Sequence, residues 1–188
     1  MILSSIKKSQ PGILFMIFFA FSYLSSLCHL EAQDFNLESP SKKLSLNIHI
    51  DEHISFSVDY RKNRVMDIQR ISMEINNGEI LGSFPKLSKH KIEFFEELVT
   101  VQIPNKDAKI FSRANQISMS FKKGFQVVFR IFDDGVTYRF IDQNASTSSI
   151  IVEHLDIDFP DNTISFFPEE ESMYSHNERL YKKKNIDY

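Results

Sequence analysis

The feature that most constrains this chain is a two-residue rhythm of apolar side chains. Leu44, Leu46, Ile48 and Ile50 alternate with Ser45, Asn47 and His49. Successive side chains on a β-strand point to opposite faces, so this spacing puts four aliphatic groups on one face of a strand. Asp51-Glu52-His53 interrupts the run. Ile54, Phe56, Val58 and Tyr60 then alternate with Ser55, Ser57 and Asp59 until the polar Arg61-Lys62-Asn63-Arg64. The two runs read as an antiparallel pair. A third, Ile71-Met73-Ile75, ends at Asn76-Asn77-Gly78, residue types suited to the positive φ angles of a tight turn.

The rhythm returns at Val99, Val101 and Ile103 and stops at Pro104-Asn105-Lys106-Asp107. Ile117-Met119-Phe121, a turn at Lys122-Lys123-Gly124, the run Phe125 to Phe132, a turn at Asp133-Asp134-Gly135 and Val136 to Phe140 predict a three-stranded meander. Phe125, Val127, Phe129 and Ile131 fall on one face of its middle strand. Lys86 to Leu98 is open between strand and helix, because Ile92, Phe95 and Leu98 also fit a helical spacing. Asn144 to Ser149 reads as a polar loop and Ile150-Ile151-Val152 as a short strand. Phe159-Pro160 and Phe166-Phe167-Pro168 mark the last strand-like pieces. Many short strands with little helix predict an all-β antiparallel sandwich.

The 188 residues suffice for one domain with a short appendage, and 42% hydrophobic with 25% charged residues excludes a disordered chain. A net charge of -3 with scattered Lys and Arg gives no basic field for a phosphate backbone, so no nucleic-acid partner is expected. At the start, Lys7 and Lys8 precede the nine apolar residues Ile13 to Phe21, and a more polar stretch runs to Ala32. That is the layout of a signal peptide, and the apolar run is far short of the roughly 20 residues of a membrane span. Residues 1–32 are therefore read as a signal helix ahead of an exported domain, periplasmic or secreted, with no membrane contact after cleavage. A membrane anchor, or acylation at Cys28, is the weaker alternative. Cys28 is the only cysteine, so from Gln33 onward disulfides, thiolate nucleophiles and Cys-based zinc sites are excluded. The domain must be held by its core, to which 14 of the 18 Phe are available.

No His-Glu-x-x-His, Gly-x-Ser-x-Gly, phosphate loop or dinucleotide fingerprint occurs, and five glycines leave little for a cofactor-cradling loop. No two of the six His share a helix-face metal spacing, and they read as surface or turn residues. Asp133-Asp134 resembles a glycosidase carboxylate pair only superficially. Neighbours in a strand point apart and the following glycine suits a hairpin, so the turn reading prevails. Glu169-Glu170-Glu171 offers oxygens of the kind calcium takes, but a run of like charge reads first as a solvated edge.

Phe129-Arg130-Ile131-Phe132-Asp133-Asp134-Gly135-Val136-Thr137-Tyr138-Arg139-Phe140, with His176-Asn177-Glu178-Arg179-Leu180-Tyr181-Lys182-Lys183 further on, resembles the N-terminal domain of glycoside hydrolase family 97. Glu38-Ser39-Pro40 before Lys42 to Leu46 is similar to that family's first strand, and Val58-Asp59-Tyr60 to its second. The strand, Asp-Asp-Gly turn and strand are the most specific part of a likeness that runs from about residue 36 to 184.

The resemblance implies an exported α-glucosidase or α-galactosidase with three parts: a galactose-mutarotase-like β-sandwich, a (β/α)8 barrel carrying the catalytic carboxylates, and a small C-terminal β domain. A barrel takes about 250 residues, so acid, base and nucleophile have no counterpart in this chain, which is expected to be inactive alone. Residues 33–168 would be the sandwich and 169–188 the start of a linker towards the barrel. The resemblance assigns Glu178 as one ligand of a calcium ion near the active site, its fellow ligands coming from the barrel. Pairing of Glu178 with Arg179 or Lys182 is the structural alternative. The competing function is a stand-alone carbohydrate-binding or structural module; a carbohydrate partner is open on either reading, although no Trp is present to stack on a sugar.

Overall fold

The computed structural model describes residues 32–103, 106–143, 149–176 and 178–186. The expected signal helix within 1–32 and most of the polar loop 144–149 lie outside the described residues. Strands account for all the regular structure in the rest; no helix is formed among the described residues, and none there is long and apolar enough to cross a membrane.

In chain order the strands are β1 (Gln33–Glu38), β2 (Leu44–Ile50), β3 (Ile54–Tyr60), β4 (Asn63–Ile75), β5 (Ile80–Leu81), β6 (Leu87–Thr100), β7 (Lys109–Phe121), β8 (Phe125–Ile131), β9 (Val136–Asp142), β10 (Ile150–Asp158), β11 (Ile164–Phe167) and β12 (Lys182–Asn185). One sheet has the order β1-β2-β3-β4-β10, with β5 added to β4. A second has the order β6-β7-β8-β9, and β11 with β12 form a separate pair. Every pairing is antiparallel.

The two larger sheets share one core. Leu46, Ile48, Ile54 and Ile71 of the first and Ile117, Met119, Val127 and Phe129 of the second are all essentially buried in it. Phe56 meets Phe129 edge-on at 5.3 Å between ring centres, a favoured aromatic geometry. The expected shared face of Phe125, Val127, Phe129 and Ile131 is found fully buried. Asp133 and Asp134 form the turn between β8 and β9, closed by the Phe132 N–H donating to the Gly135 carbonyl at 2.8 Å. Gly82 follows β5 at φ +90°, where an added Cβ would stand 2.7 Å from the Ile71 carbonyl oxygen, so only glycine fits.

Several strands differ in extent from the sequence expectation. Arg61 and Lys62, at φ +51° and +70°, turn the chain alone, and β4 begins at Asn63 instead of near Ile71. Register shifts against β3 break its alternation, which disguised its first half. The open segment is strand from Leu87 onward, because β6 pairs with β7 along its whole length. β10 runs to Asp158 instead of stopping at Val152. Within the stretch read as the start of a linker, Lys182–Asn185 forms a strand against Ile164–Phe167.

Past Asn115, β7 loses its partner β8 while its pairing with β6 continues to Thr100 and Lys109, leaving a two-stranded ribbon. The ribbon face that continues the core face of Ile117 carries Phe94, Leu98 and Phe111, each more than half exposed. At its root the Asn115 side-chain amide donates to the Glu38 carbonyl at 2.7 Å, tying the ribbon to the end of β1.

Candidate functional site

The residues singled out from the sequence fall in different places. Asp133 serves architecture: its carboxylate accepts the Ser41 backbone N–H at 2.7 Å, joining the β8–β9 turn to the loop between β1 and β2. Hydrogen bonding from the Ser41 hydroxyl first, and from this backbone N–H second, holds its carboxyl below the ordinary range. His49 lies between two carboxylates, Nδ1 at 2.6 Å from Asp34 and Nε2 at 3.2 Å from Asp51. His90 packs edge-on against Phe35 at 4.8 Å. Among the described residues no three His, Cys, Asp or Glu side chains converge closely enough to hold a metal ion.

Glu178 lies in the irregular segment that leaves β11 and returns as β12. The reversal is fixed by charge. Lys182 Nζ donates to Glu169 at 2.8 Å, Lys184 bonds the other oxygen of the same carboxylate, and Arg179 Nε donates to Glu170 at 3.3 Å. Arg179 and Lys182 are thereby engaged by Glu170 and Glu169, and neither pairs with Glu178 among the described residues. Glu178 is exposed, on the wall of a hollow of about 430 Å³ shared with Glu170, Glu171 and His176.

One atom in that wall is out of balance. Glu170 is drawn inward by Arg179, and its Oε1 is shielded from solvent with no hydrogen-bond partner. A buried carboxylate oxygen without a donor is costly. The oxygens facing the hollow are hard donors of the kind calcium takes, but the ion needs about six to eight of them. The described residues therefore fit a contribution to a calcium site and do not make a cage by themselves. Sequence reasoning passed over Glu170 as part of a solvated run, which holds for the exposed Glu171; the inward placement of Glu170 depends on the reversal between β11 and β12, for which the sequence carries no signal.

Around this segment the surface is unusually apolar. Phe166, Phe167, Met173, Tyr174, Leu180 and Tyr181 are all more than half exposed. Monomeric surfaces seldom leave so many large apolar groups together without a partner.

Comparison with known proteins agrees with this architecture. A retaining alpha-galactosidase of Bacteroides thetaiotaomicron is 27% identical over 151 residues, which is 79% of this chain and 23% of the relative. A glycoside hydrolase family 97 enzyme from Pseudoalteromonas sp. strain K8, solved in complex with acarbose, superposes with a TM-score of 0.65 at 16% identity over 80% of this chain and 24% of its own. A beta-arabinopyranosidase crystal structure gives 0.63 at 20% identity, over 80% and 26%. The chain thus spans about a quarter of the length of each of these relatives. The family described as Glycosyl-hydrolase 97 N-terminal matches residues 37–188, from the end of β1 through the hollow that holds Glu178, and the chain belongs to that family.

Proposed function

We propose that this chain serves as the N-terminal β domain of an exported glycoside hydrolase acting on α-glucosides or α-galactosides, with the catalytic carboxylates on a (β/α)8 barrel outside these residues. The observation that carries the reading is the family match, which runs through both sheets and on to the charged reversal around Glu178. The exposed apolar groups of β10, β11 and the segment up to Tyr181 suit a surface covered by further polypeptide. The sandwich is taken to be of the galactose-mutarotase-like kind, and residues 1–32 to be the export signal of a periplasmic or secreted protein.

In this reading the domain performs no hydrolysis. A glycosidase needs a general acid and a second carboxylate facing each other about 5 to 9.5 Å apart across the scissile bond. Here Asp133 holds a loop, Asp59 and Asp67 hold Arg64, and Glu169 and Glu170 hold the β11–β12 reversal. Glu178 supplies one oxygen ligand to a calcium ion whose remaining ligands come from the barrel, and Glu170 and Glu171 line the same hollow.

Two measurements test the reading. DNA sequence beyond the codon for Tyr188 is expected to encode a (β/α)8 barrel in frame; a stop codon with no barrel reading frame after it would leave a stand-alone module. Incubation of the chain with p-nitrophenyl α-glucoside and α-galactoside is expected to release nothing above buffer. Release abolished by replacing one of its own Asp or Glu residues overturns the proposal.

A further inference from the structure

On its solvent side, the β1–β4 part of the larger sheet carries a trough of about 450 Å³, far from the β11–β12 reversal in sequence and built from other strands. Its shape follows from strand register. One row of outward side chains runs Asn36, Asn47, Ser57, Asp67 across the four strands, and a second runs Asp34, His49, Ser55. Between longer side chains on either flank, Ser55 and Ser57 on β3 are too short to fill the space, and they floor the trough.

Hydrogen bonds fix the walls. Asn36 Nδ2 donates to Asn47 Oδ1 at 2.6 Å, and Asn47 Nδ2 donates to Asp59 at 2.9 Å and to Ser57 Oγ at 3.3 Å. Asp59 accepts in turn from Arg64, which also holds Asp67. In the second row His49 is clamped between Asp34 and Asp51. Side chains already ordered this way lose little further entropy when a ligand binds.

The chemistry selects the ligand class. No Lys or Arg lines the trough, which disfavours an anion. Its carboxylates are already engaged, Asp34 by His49 and Asp67 by Arg64, and no metal-holding group of three forms among the described residues. What the trough offers is a dense, fixed array of amide, hydroxyl and carboxylate groups, both donors and acceptors. That array matches a neutral polyhydroxylated molecule whose adjacent hydroxyls both donate and accept.

We propose that the trough across β1–β4 is a saccharide-binding site, with Asn36 as its principal hydrogen-bonding residue, Asn47 holding Asn36 in place, and the ligand lying across the strands over Ser55 and Ser57. The site is independent of whether a catalytic barrel follows. With no exposed aromatic platform, affinity for a short sugar falls in the range of about 1 mM.

The test is an amide NMR titration of the full chain with glucose, galactose and maltotriose to about 50 mM, well above that affinity. Saturable shifts confined to residues 34–36, 47–49, 55–57 and 67–69 are expected from at least one sugar. Asn47→Ala should weaken binding at least about tenfold, and Thr137→Ala, on the exposed face of the other sheet, should leave it unchanged. If Asn47→Ala fails to fold, Asn36→Ala on the edge strand carries the same readout. No saturable shift with any of the three sugars, or shifts there with calcium or phosphate alone, overturns the proposal. Binding that is unchanged in the folded Asn variant does so as well.

Discussion

Tyr138 on β9 donates a 2.7 Å hydrogen bond to Glu153 on β10, so the last strand of one sheet is latched to the last strand of the other. The ring beneath that hydroxyl packs against Phe56, Phe129 and Phe140, which makes Tyr138 both a core aromatic and the latch. Burial, reinforced by Glu153, holds the phenol well above its ordinary pKa.

Removing the latch hydroxyl with Tyr138→Phe should cost about 0.5–1.5 kcal/mol, the net worth of one hydrogen bond, because the ring still fills its place. The wild-type contribution is fully present below the unfolded phenol's pKa of about 10 and is lost as pH rises towards the folded value. Urea unfolding between pH 8 and pH 11 should show a falling stability in the wild type and a flatter profile in the variant.

On β2, hydrogen bonds to Asp34 first and Asp51 second raise the pKa of His49. Its contribution is therefore complete below the ordinary imidazole pKa of about 6.5 and disappears as pH rises through the folded value. Half-exposed pairs are worth little, so His49→Gln should change stability by less than about 1 kcal/mol at pH 5.5, and by less as pH rises. Equal losses at low and high pH would mean that the imidazole acts by packing instead of charge.

Phe129 is wholly buried where the two sheets meet. Phe129→Ala should cost about 3–5 kcal/mol, combining lost transfer energy with the cavity left behind. Chemical denaturation of wild type and variant measures it; a loss under 1.5 kcal/mol would show that the sheets are less tightly apposed than the Phe56 contact indicates.

Glu178 is exposed, and its neighbours Arg179 and Lys182 are engaged elsewhere. Glu178→Gln should leave stability within about 0.5 kcal/mol of wild type. In a barrel-containing protein the same change should weaken calcium affinity, because a charged oxygen ligand becomes a neutral one. Isothermal titration with calcium reads it directly, and unchanged affinity removes Glu178 from the site.

How legible these elements were in the sequence depends on how regular each strand is. β2 and β3 alternate without a fault between Leu44 and Tyr60, so strand, face and pairing could all be read. β4 could not be read in full, because its register shifts against β3 place Met66, Ile68 and Ile71 out of step. β12 is Lys-Lys-Lys-Asn; it has no apolar pattern, and it is a strand only because β11 offers it a backbone edge and Glu169 takes two of its lysines. Residue chemistry alone did not single out Glu178, which was reached through family resemblance. The trough was invisible for a different reason: Asn36, Asn47, Ser57 and Asp67 are far apart in sequence and become a row only through the register of four strands.

The ribbon beyond Asn115 sets a gradient of local stability along two continuous strands. Residues 115–121 of β7 lie between two neighbours above a shared core, whereas 109–113 rest on β6 alone and bury little. Amide hydrogen exchange should follow that gradient, with protection near the global unfolding free energy at Ile117 and Met119 and much faster exchange towards Lys109 and Thr100. A partner that covers Phe94, Leu98 and Phe111 would therefore announce itself first as slowed exchange at the ribbon's tip, before any change in the core amides.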